Sequence, residues 1–425
     1  MATAITGYDV FEQALGIIKP WSVTGTELRK SEDGKRLEMH ITVDFAAGSE
    51  FPCPQCGTDC KVYDTSERIW RHLNFFQYRC YIHARVPRIS CERHGTRTVQ
   101  VPWGREGSGF TLMMEGVILA LLQHMPVKAA AREIGEHDTR LWRVLNHYVS
   151  DALKERSFSD VKDIGIDEYS HSGHDYITVI LSHPTEKHSK ARVLDIEDGK
   201  GNDTVALFGA KFSELGGKAE EVENVTSDMI HGFRNAMKAQ FPNSTVTVDR
   251  FHVMKLIGDS VDTIRRGEAG GRDRAKSSIL SRTRYLWLKN RENLKPEQRE
   301  RLDALLELKN LDTAIAYDFR LRLQSIYENS EDRETACWHY ENLVADMHNS
   351  GIKELARAAK SLIGNAVEIL NYFDSKRTNA ILEGFNSKIS IIKNRARGFR
   401  NRENFKNMIY FCMGDLSMPI AHIMA

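Results

Sequence analysis

At 425 residues, 41% hydrophobic and 28% charged, the chain has an ordinary soluble globular balance and the length for two to four domains; it is not a largely disordered protein. Its net charge of +1 excludes a uniformly basic polyanion binder. Any polyanion has to be held by local basic faces, and arginines and lysines crowd between Arg265 and Arg301 and again between Lys376 and Lys406.

The amino terminus lacks the basic region, apolar core and small-residue site of a signal peptide, and the longest apolar run, around Val117 to Leu122, is far too short to span a bilayer. A cytoplasmic protein without membrane contact is expected. Of the seven cysteines, five fall between Cys53 and Cys91, a pattern of one metal-bound module in a reduced compartment.

Residues before Ser49 read as a weakly amphipathic helix (Val10, Phe11, Leu15, Ile18) and a strand from Arg36. The knuckle of Cys53 and Cys56, shaped by Pro54 and Gly57, lets two thiolates converge on zinc if a second pair arrives. Cys91 and His94 repeat the two-residue gap, so Cys53, Cys56, Cys91 and His94 are the candidate ligands, with Cys60, Cys80 and His83 as rivals. Cys80, among alternating aromatic neighbours, also reads as a buried strand thiol.

From Leu112 the periodicity turns helical. Ala129 to Ile134, a turn at Gly135 to His137, and a second helix capped by Asp138 or Thr139 fit a helix-turn-helix. Arg140 and Arg143 would then enter a major groove, whereas a plain packing hairpin is the alternative. The zinc ribbon upstream favours DNA binding.

From Val161, three strand-like runs form a meander whose first member carries Ile164 and Ile166 and places Asp167 near its end. A helix from about Asn202 to Leu215 follows. Val222 and Val225 then mark a strand with Asp228 at its carboxyl end; Phe233, Ala236, Met237 and Phe241 mark a helix; and Ser244 to Val248 is a strand delivering Asp249, with His252 three residues on. Ligands of open sheets gather outside the carboxyl ends of the strands. Strand-strand-strand-helix-strand-helix-strand resembles the ribonuclease H-like fold, in which acids come from the first strand, the fourth strand and a later helix. After Val253 the chain is mostly helical, with breaks at Gly267 to Gly271 and near Pro296. Ile381, Phe385, Ile389 and Ile392 recur on one helix face with Glu383 just off it, among Lys376, Arg377, Lys388, Lys393, Arg395, Arg397 and Arg400. A carboxylate in dense positive charge points to phosphate nearby. His171, His174, His183 and His188 lack a consistent ligand spacing.

In order, CPxCG, the helix-turn-helix, GIDEYS, VTSDM, FPNSTVTVDRFHV and TNAILEGFNSKI are similar to bacterial insertion-sequence transposases of the IS-L-three family, relatives of the Mutator-like group. The resemblance runs from about Cys53 to Phe405 and implies an aspartate-aspartate-glutamate transposase. Such an enzyme binds terminal inverted repeats in double-stranded DNA, cuts there and joins the ends to target DNA, as a homodimer or higher oligomer. By position, Asp167, Asp228 and Glu383 match the catalytic, magnesium- or manganese-binding acids, and Asp249 and His252 match an auxiliary aspartate-x-x-histidine signature. Both aspartates Asp228 and Asp249 lie at strand ends, which the sequence leaves unseparated. Many relatives show cysteine where this chain has His94, which keeps Cys60 open as a zinc ligand.

The resulting expectation is a multidomain α+β chain: an N-terminal segment (1–49), a zinc ribbon (50–108), a helix-turn-helix (109–155), a ribonuclease H-like mixed α/β catalytic core (156–256), an all-helical insertion (257–374) and a C-terminal helical part of the core (375–425). Arg272, Arg274, Lys388, Lys393, Arg395, Arg397 and Arg400 are the expected DNA contacts besides Arg140 and Arg143. Trp287 would stack on an unpaired base, or pack in a core. A catalytically inactive or repurposed repeat-binding protein is the competing function, since it would keep the ribbon and helix-turn-helix.

Overall fold

A computed structural model describes residues 8–173, 175–229, 231–308, 310–376 and 380–418. His174, Arg377 and the side chain of Phe233 lie outside the described ones. The chain divides into two compact units: residues 1–154 with 392–412 and 416–425, and residues 155–391 with 413–415.

In the first unit, helix α1 (Asp9–Leu15) precedes strands β1 (Trp21–Lys30), β2 (Leu37–Phe45), β3 (Glu50–Pro52), β4 (Asp59–Phe75), β5 (Tyr78–Cys91) and β6 (Gly95–Thr98). They form one sheet in the order β1-β2-β5-β4-β3, with β6 on β5. Strand β2 runs parallel to β5 with Met39 opposite Cys80, Ile41 opposite Ile82 and Val43 opposite Ala84. All six are buried, so the period-2 alternation of both strands sets this register. Strand β1 escaped the sequence reading because only Trp21 and Val23 of its ten residues are buried. Trp21 nevertheless anchors the core, packing on Phe45, Phe51 and Trp103 at ring separations of 5.3, 5.3 and 5.1 Å. Strands β1 and β2 therefore share their sheet with the cysteine-bearing ribbon.

Helices α2 (Leu112–His124), α3 (Val127–Ile134) and α4 (Asp138–Glu155) follow. The Thr111 side chain caps α2 by accepting from the Met114 amide. Gly135, at φ 75°, ends α3 in the left-handed conformation that a side chain would resist. Helix α4 starts at Asp138, and neither Asp138 nor Thr139 caps it as expected: the ring of His137 lies 3.3 Å from the Thr139 amide and occupies that role. The C-terminal helix α16 (Arg402–Met413) is tied to α4 through Asn146, which donates to Asn404 and accepts from Asn407, both at 3.0 Å.

The second unit opens with β7 (Asp163–Ser172), β8 (Asp175–Ser182) and β9 (Arg192–Asp198), then α5 (Asn202–Glu214), β10 (Asn224–Ser227), α6 (His231–Gln240) and β11 (Thr245–Val248). Sheet order is β11-β10-β7-β8-β9. The first three strands form an antiparallel meander, and β10 and β11 add in parallel beside β7. Apolar residues of α5 and α6 cover one face, with Phe208, Phe212 and Phe241 in mutual ring contact. Strand β7 continues to Ser172, so Asp167 sits mid-strand, opposite Val179, and not near its end; the polar tail is held in the ladder by its pairing with β8.

Helices α7 (Arg250–Ala269), α8 (Arg274–Leu280), α9 (Arg284–Leu288), α10 (Pro296–Leu306), α11 (Asp312–Asn329), α12 (Arg333–Asn349), α13 (Lys353–Gly364) and α14 (Ala366–Ser375) build a second core, and α15 (Ala380–Arg395) returns to the sheet. The glycine-rich break ends α7, and Pro296 occupies the first turn of α10, where its missing N–H costs nothing.

Candidate metal centre and acidic site

Two tight turns build the metal centre. After Cys53, Gly57 at φ 72° closes a turn through its amide to the Cys53 carbonyl at 2.8 Å, while the Cys53 amide donates to the Thr58 carbonyl at 2.9 Å. Cys91 and His94 lie on the β5–β6 turn, closed by Gly95 at φ 66°. The ligand atoms of Cys53, Cys56, Cys91 and His94 all fall within 4.8 Å of one another. Cys56 Sγ is 3.7 Å from Cys91 Sγ, and His94 Nδ1 is 3.6 Å from the sulfurs of Cys53 and Cys91. A tetrahedral zinc with bonds of about 2.3 Å separates its sulfurs by about 3.8 Å, so this soft donor set fits zinc without rearrangement. The hydroxyl and amide of Thr58 hold the Cys56 thiol down to about 6, favouring the thiolate that binds metal.

The rival thiols and imidazole do not join the converged group. Cys60 donates to the Thr58 carbonyl at 3.2 Å, outside the converged group. Cys80 is buried in the sheet core, and burial pushes its thiol up to about 11. The ring of His83 pairs with His40 at 2.7 Å.

The acidic site gathers at one region of the second sheet. Gly165, with no side chain, leaves room over β7 for α15: a Cβ there would lie 2.9 Å from Leu382 Cδ1. Leu382, Phe385 and Ile389 are buried, while Glu383, one residue off that face, is open to solvent. Asn386, three residues on, donates to Asp167 Oδ2 at 2.7 Å, and Tyr169 meets Ser390 at 3.1 Å, so two side-chain contacts pin helix to strand. Asp167 Oδ1 accepts from the Glu168 amide at 2.8 Å and lies 3.9 Å from His252 Nε2. Asp228 directly follows β10, the neighbour of β7. Asp249, 4% exposed, directly follows β11 and stands at the N-cap of α7, putting His252 in the first turn.

These groups lie in one another's fields. Burial raises the Asp167 carboxyl above its usual range; His252, the Glu168 amide and Asn386 oppose the rise, and Asp228 adds to it. Glu383 is raised by partial enclosure, by Asp249 and by Asp167, with His252 opposing. Glu168 is raised by burial and by Asp228, Lys200 opposing, and its Oε1 is buried without a hydrogen-bond partner. Among the described residues only the cysteine–histidine group brings three or more ligand atoms to convergence; the acids are gathered more loosely. Asp249 and Glu383 also line a cavity of about 510 Å³ that extends along α7 and α11.

Three family descriptions match successive parts of the chain: the zinc-finger of transposase IS204/IS1001/IS1096/IS1165 over residues 49–94, the helix-turn-helix domain of transposase family ISL3 over 99–149, and a transposase over 164–409. The chain belongs to the ISL3 family of transposases. It is 30% identical over 364 residues to the transposase for insertion sequence element IS1001 of Bordetella parapertussis, covering 83% of this chain and 86% of the relative. It is 24% identical over 427 residues to the transposase for insertion sequence element IS1557 of Mycobacterium tuberculosis, covering 92% of each. In this ISL3 transposase, then, a zinc ribbon and a helix-turn-helix precede a C-terminal transposase domain in a mixed α/β chain, and no described helix is long and apolar enough to cross a membrane.

The remaining candidate residues of the ISL3 protein differ in exposure. Arg143, Arg272, Arg274, Lys388, Arg395, Arg397 and Arg400 are exposed, and Lys393 is half-buried. Arg140 is engaged: it pairs with Glu136, donates to the Gly109 carbonyl at 3.1 Å and covers the Phe110 ring at 4.1 Å. Arg395 also donates to the His124 carbonyl. The stacking role for Trp287 is corrected. Its ring is fully buried, its N–H donates to Thr283 at 3.1 Å and Tyr317 meets its face edge-on, so no base can reach it. Sequence reasoning missed Asn386, although its spacing of three from Glu383 on a helix was a usable signal.

Proposed function

We propose that this ISL3 transposase is a DDE enzyme that binds the terminal inverted repeats of its element and carries out magnesium- or manganese-dependent strand cleavage and strand transfer. Asp167, Asp228 and Glu383 are the catalytic, metal-holding acids, with Asp249 and His252 as supports. The observation that carries this reading is the tie between Asn386 and Asp167, which seats the helix of Glu383 over the strand of Asp167, beside the strand that ends at Asp228. Three antiparallel strands followed by two parallel ones support a ribonuclease H-like core at 156–256, continued at 375–425 and interrupted by the helical residues 257–374.

The residues fit a divalent cation. The donors are hard oxygens, and the carboxyls of Asp167, Glu168 and Glu383 all sit above their usual range from enclosure and mutual repulsion, a surplus of negative charge that bound cations offset. When bound, magnesium would activate the attacking oxygen and stabilise the leaving one. The chain's own side chains do the rest: Asn386 fixes the rotamer of Asp167, His252 places its ring beside it, and the exposed basic side chains of the helix-turn-helix and of residues 388–400 hold backbone phosphates in a salt-dependent way. Assembly of at least two protomers would bring two element ends together.

The test is direct. Asp167→Ala, Asp228→Ala and Glu383→Ala should abolish magnesium-dependent cutting of element-end DNA and leave repeat binding nearly unchanged; mutants that cut like wild type refute the assignment. Incubating pre-cleaved ends with plasmid separates a transposase, which makes joined products, from a plain nuclease. Binding without cutting by the wild type would favour the repurposed repeat-binding protein.

A further inference from the structure

Strand β4 leaves one side open. Its inner side pairs with β5 from Val62 to Phe75, whereas β3 covers the other side only at Asp59 to Lys61. Among the described residues no strand pairs with that other side between Val62 and Trp70. The direction of its backbone groups follows from the next stretch. The Arg71 amide donates to the Gly109 carbonyl at 2.9 Å and the Arg71 carbonyl accepts from the Thr111 amide at 3.1 Å, both on the side away from β5. Register with β5 is regular from Asp64 to His72, so the N–H and C=O groups of Thr65, Glu67 and Ile69 point the same way, out of the sheet edge. Thr65 to Ile69 are exposed without a break. The edge therefore carries unused ladder groups, which template the addition of another strand.

The side chains select the partner strand. Charges on an edge ordinarily repel a newcomer. In an antiparallel pairing of two copies centred on Ser66, however, Asp64 of each copy stands opposite Arg68 of the other, and Thr65 opposite Glu67. That register joins Thr65 and Glu67 through their outward N–H and C=O groups, as the ladder requires. It also brings Ile69, 56% exposed, toward Tyr63, 67% exposed, which is the extra residue of a bulge between Val62 and Asp64. Sliding the centre to Glu67 or Arg68 sets like charges against themselves, and sliding it to Thr65 moves Arg68 from Asp64 to Val62. Asp64 already takes Arg88 of its own chain, through Nε at 2.6 Å, while Arg68 makes no ion pair among the described residues and supplies the spare charge. We propose that β4 is a dimerisation edge: the β4 strands of two copies pair antiparallel about a two-fold axis at Ser66 and join their sheets into one. This gives a surface to the assembly proposed above and rests on that part of the reading alone.

The experiment uses the full chain without DNA. Sedimentation equilibrium over a concentration series should show monomers exchanging with dimers. Glu67→Pro removes an outward N–H that β5 does not use, and the two-fold axis repeats the loss on the other copy. The dimer dissociation constant should rise about tenfold or more, with zinc content unchanged as the check on folding. Arg68→Asp should weaken the dimer likewise, and adding Asp64→Arg should restore it in part. Ser66→Cys should form a disulfide-linked dimer on mild oxidation, above the wild-type background on a non-reducing gel, and Thr65→Cys should not. A dimer indifferent to Glu67→Pro and Arg68→Asp, with no cross-link through Ser66→Cys, overturns the edge and leaves assembly standing. A wild-type chain that stays monomeric overturns both. Dimers that pass these tests yet cut no element-end DNA keep the edge and sink the cleavage reading.

Discussion

Asn386 donates its side-chain amide to Asp167 Oδ2 at 2.7 Å across 219 residues of sequence. The bond orients a carboxylate. Asn386→Ala is therefore expected to slow cleavage by about 10–100-fold and to raise the magnesium concentration needed for half-maximal rate, with repeat binding unchanged. A magnesium titration of cutting rate checks it, and an unmoved half-saturation point would mean that Asn386 only packs.

The metal centre makes a separable claim. Purified protein should carry about one zinc per chain, and Cys53→Ser should lose it together with much of the stability of the first unit. Cys60→Ser should keep its zinc, because Cys60 Sγ, which donates to the Thr58 carbonyl, lies outside the four converged ligands. Elemental analysis of the three proteins decides the matter; zinc lost from the Cys60 variant would displace His94 as the fourth ligand.

Asp228 and Asp249 end neighbouring parallel strands, but only β10 borders β7. Asp228→Asn should bring cutting below detection. Asp249→Asn, which alters a buried support, should cost about 10-fold. Rates measured side by side on one substrate would reverse the two roles if the larger loss fell on Asp249.

Trp287 fills the helical core. Trp287→Ala should lower unfolding free energy by about 3–5 kcal/mol. Urea denaturation reads this loss, and a neutral substitution would contradict the packing described.

His72 gives the first unit a pH dependence. Burial, aided by nearby Arg71, lowers its imidazole to about 4, against about 6.5 when unfolded. The unfolded ring therefore takes up a proton first as pH falls. Its contribution is whole above pH 6.5 and is lost toward pH 4, on the order of 3 kcal/mol at roughly 1.4 kcal/mol per pH unit of separation. His72→Gln should flatten that part of the urea-midpoint profile, and superimposable profiles would count against it.

What could be read from the chain alone was local. Cys53 and Cys56, or Cys91 and His94, declare themselves by a two-residue gap, and α3, α4 and α15 by apolar spacing, because the physics that forms them acts within a few residues. Element order from β7 through β11 was legible for the same reason. Strand β1 was not, since its outer residues are polar and its partner supplies the ladder. Arg140, expected to contact DNA, also pairs with Glu136 and covers the Phe110 ring, contacts that its place in the sequence does not announce. The pairing of Asn386 with Asp167, and the cavity shared by α7 and α11, join segments too distant for any pattern to link.

Gly165 holds no functional group, yet it sets the height of the helix above it. With Leu382 2.9 Å and Leu181 3.2 Å from where a Cβ would stand, even one methyl acts as a shim under α15. On the role proposed for Glu383, a Gly165→Ala change would weaken this enzyme by crowding Leu382, one residue away, while adding only hydrocarbon and leaving every ionisable atom chemically intact.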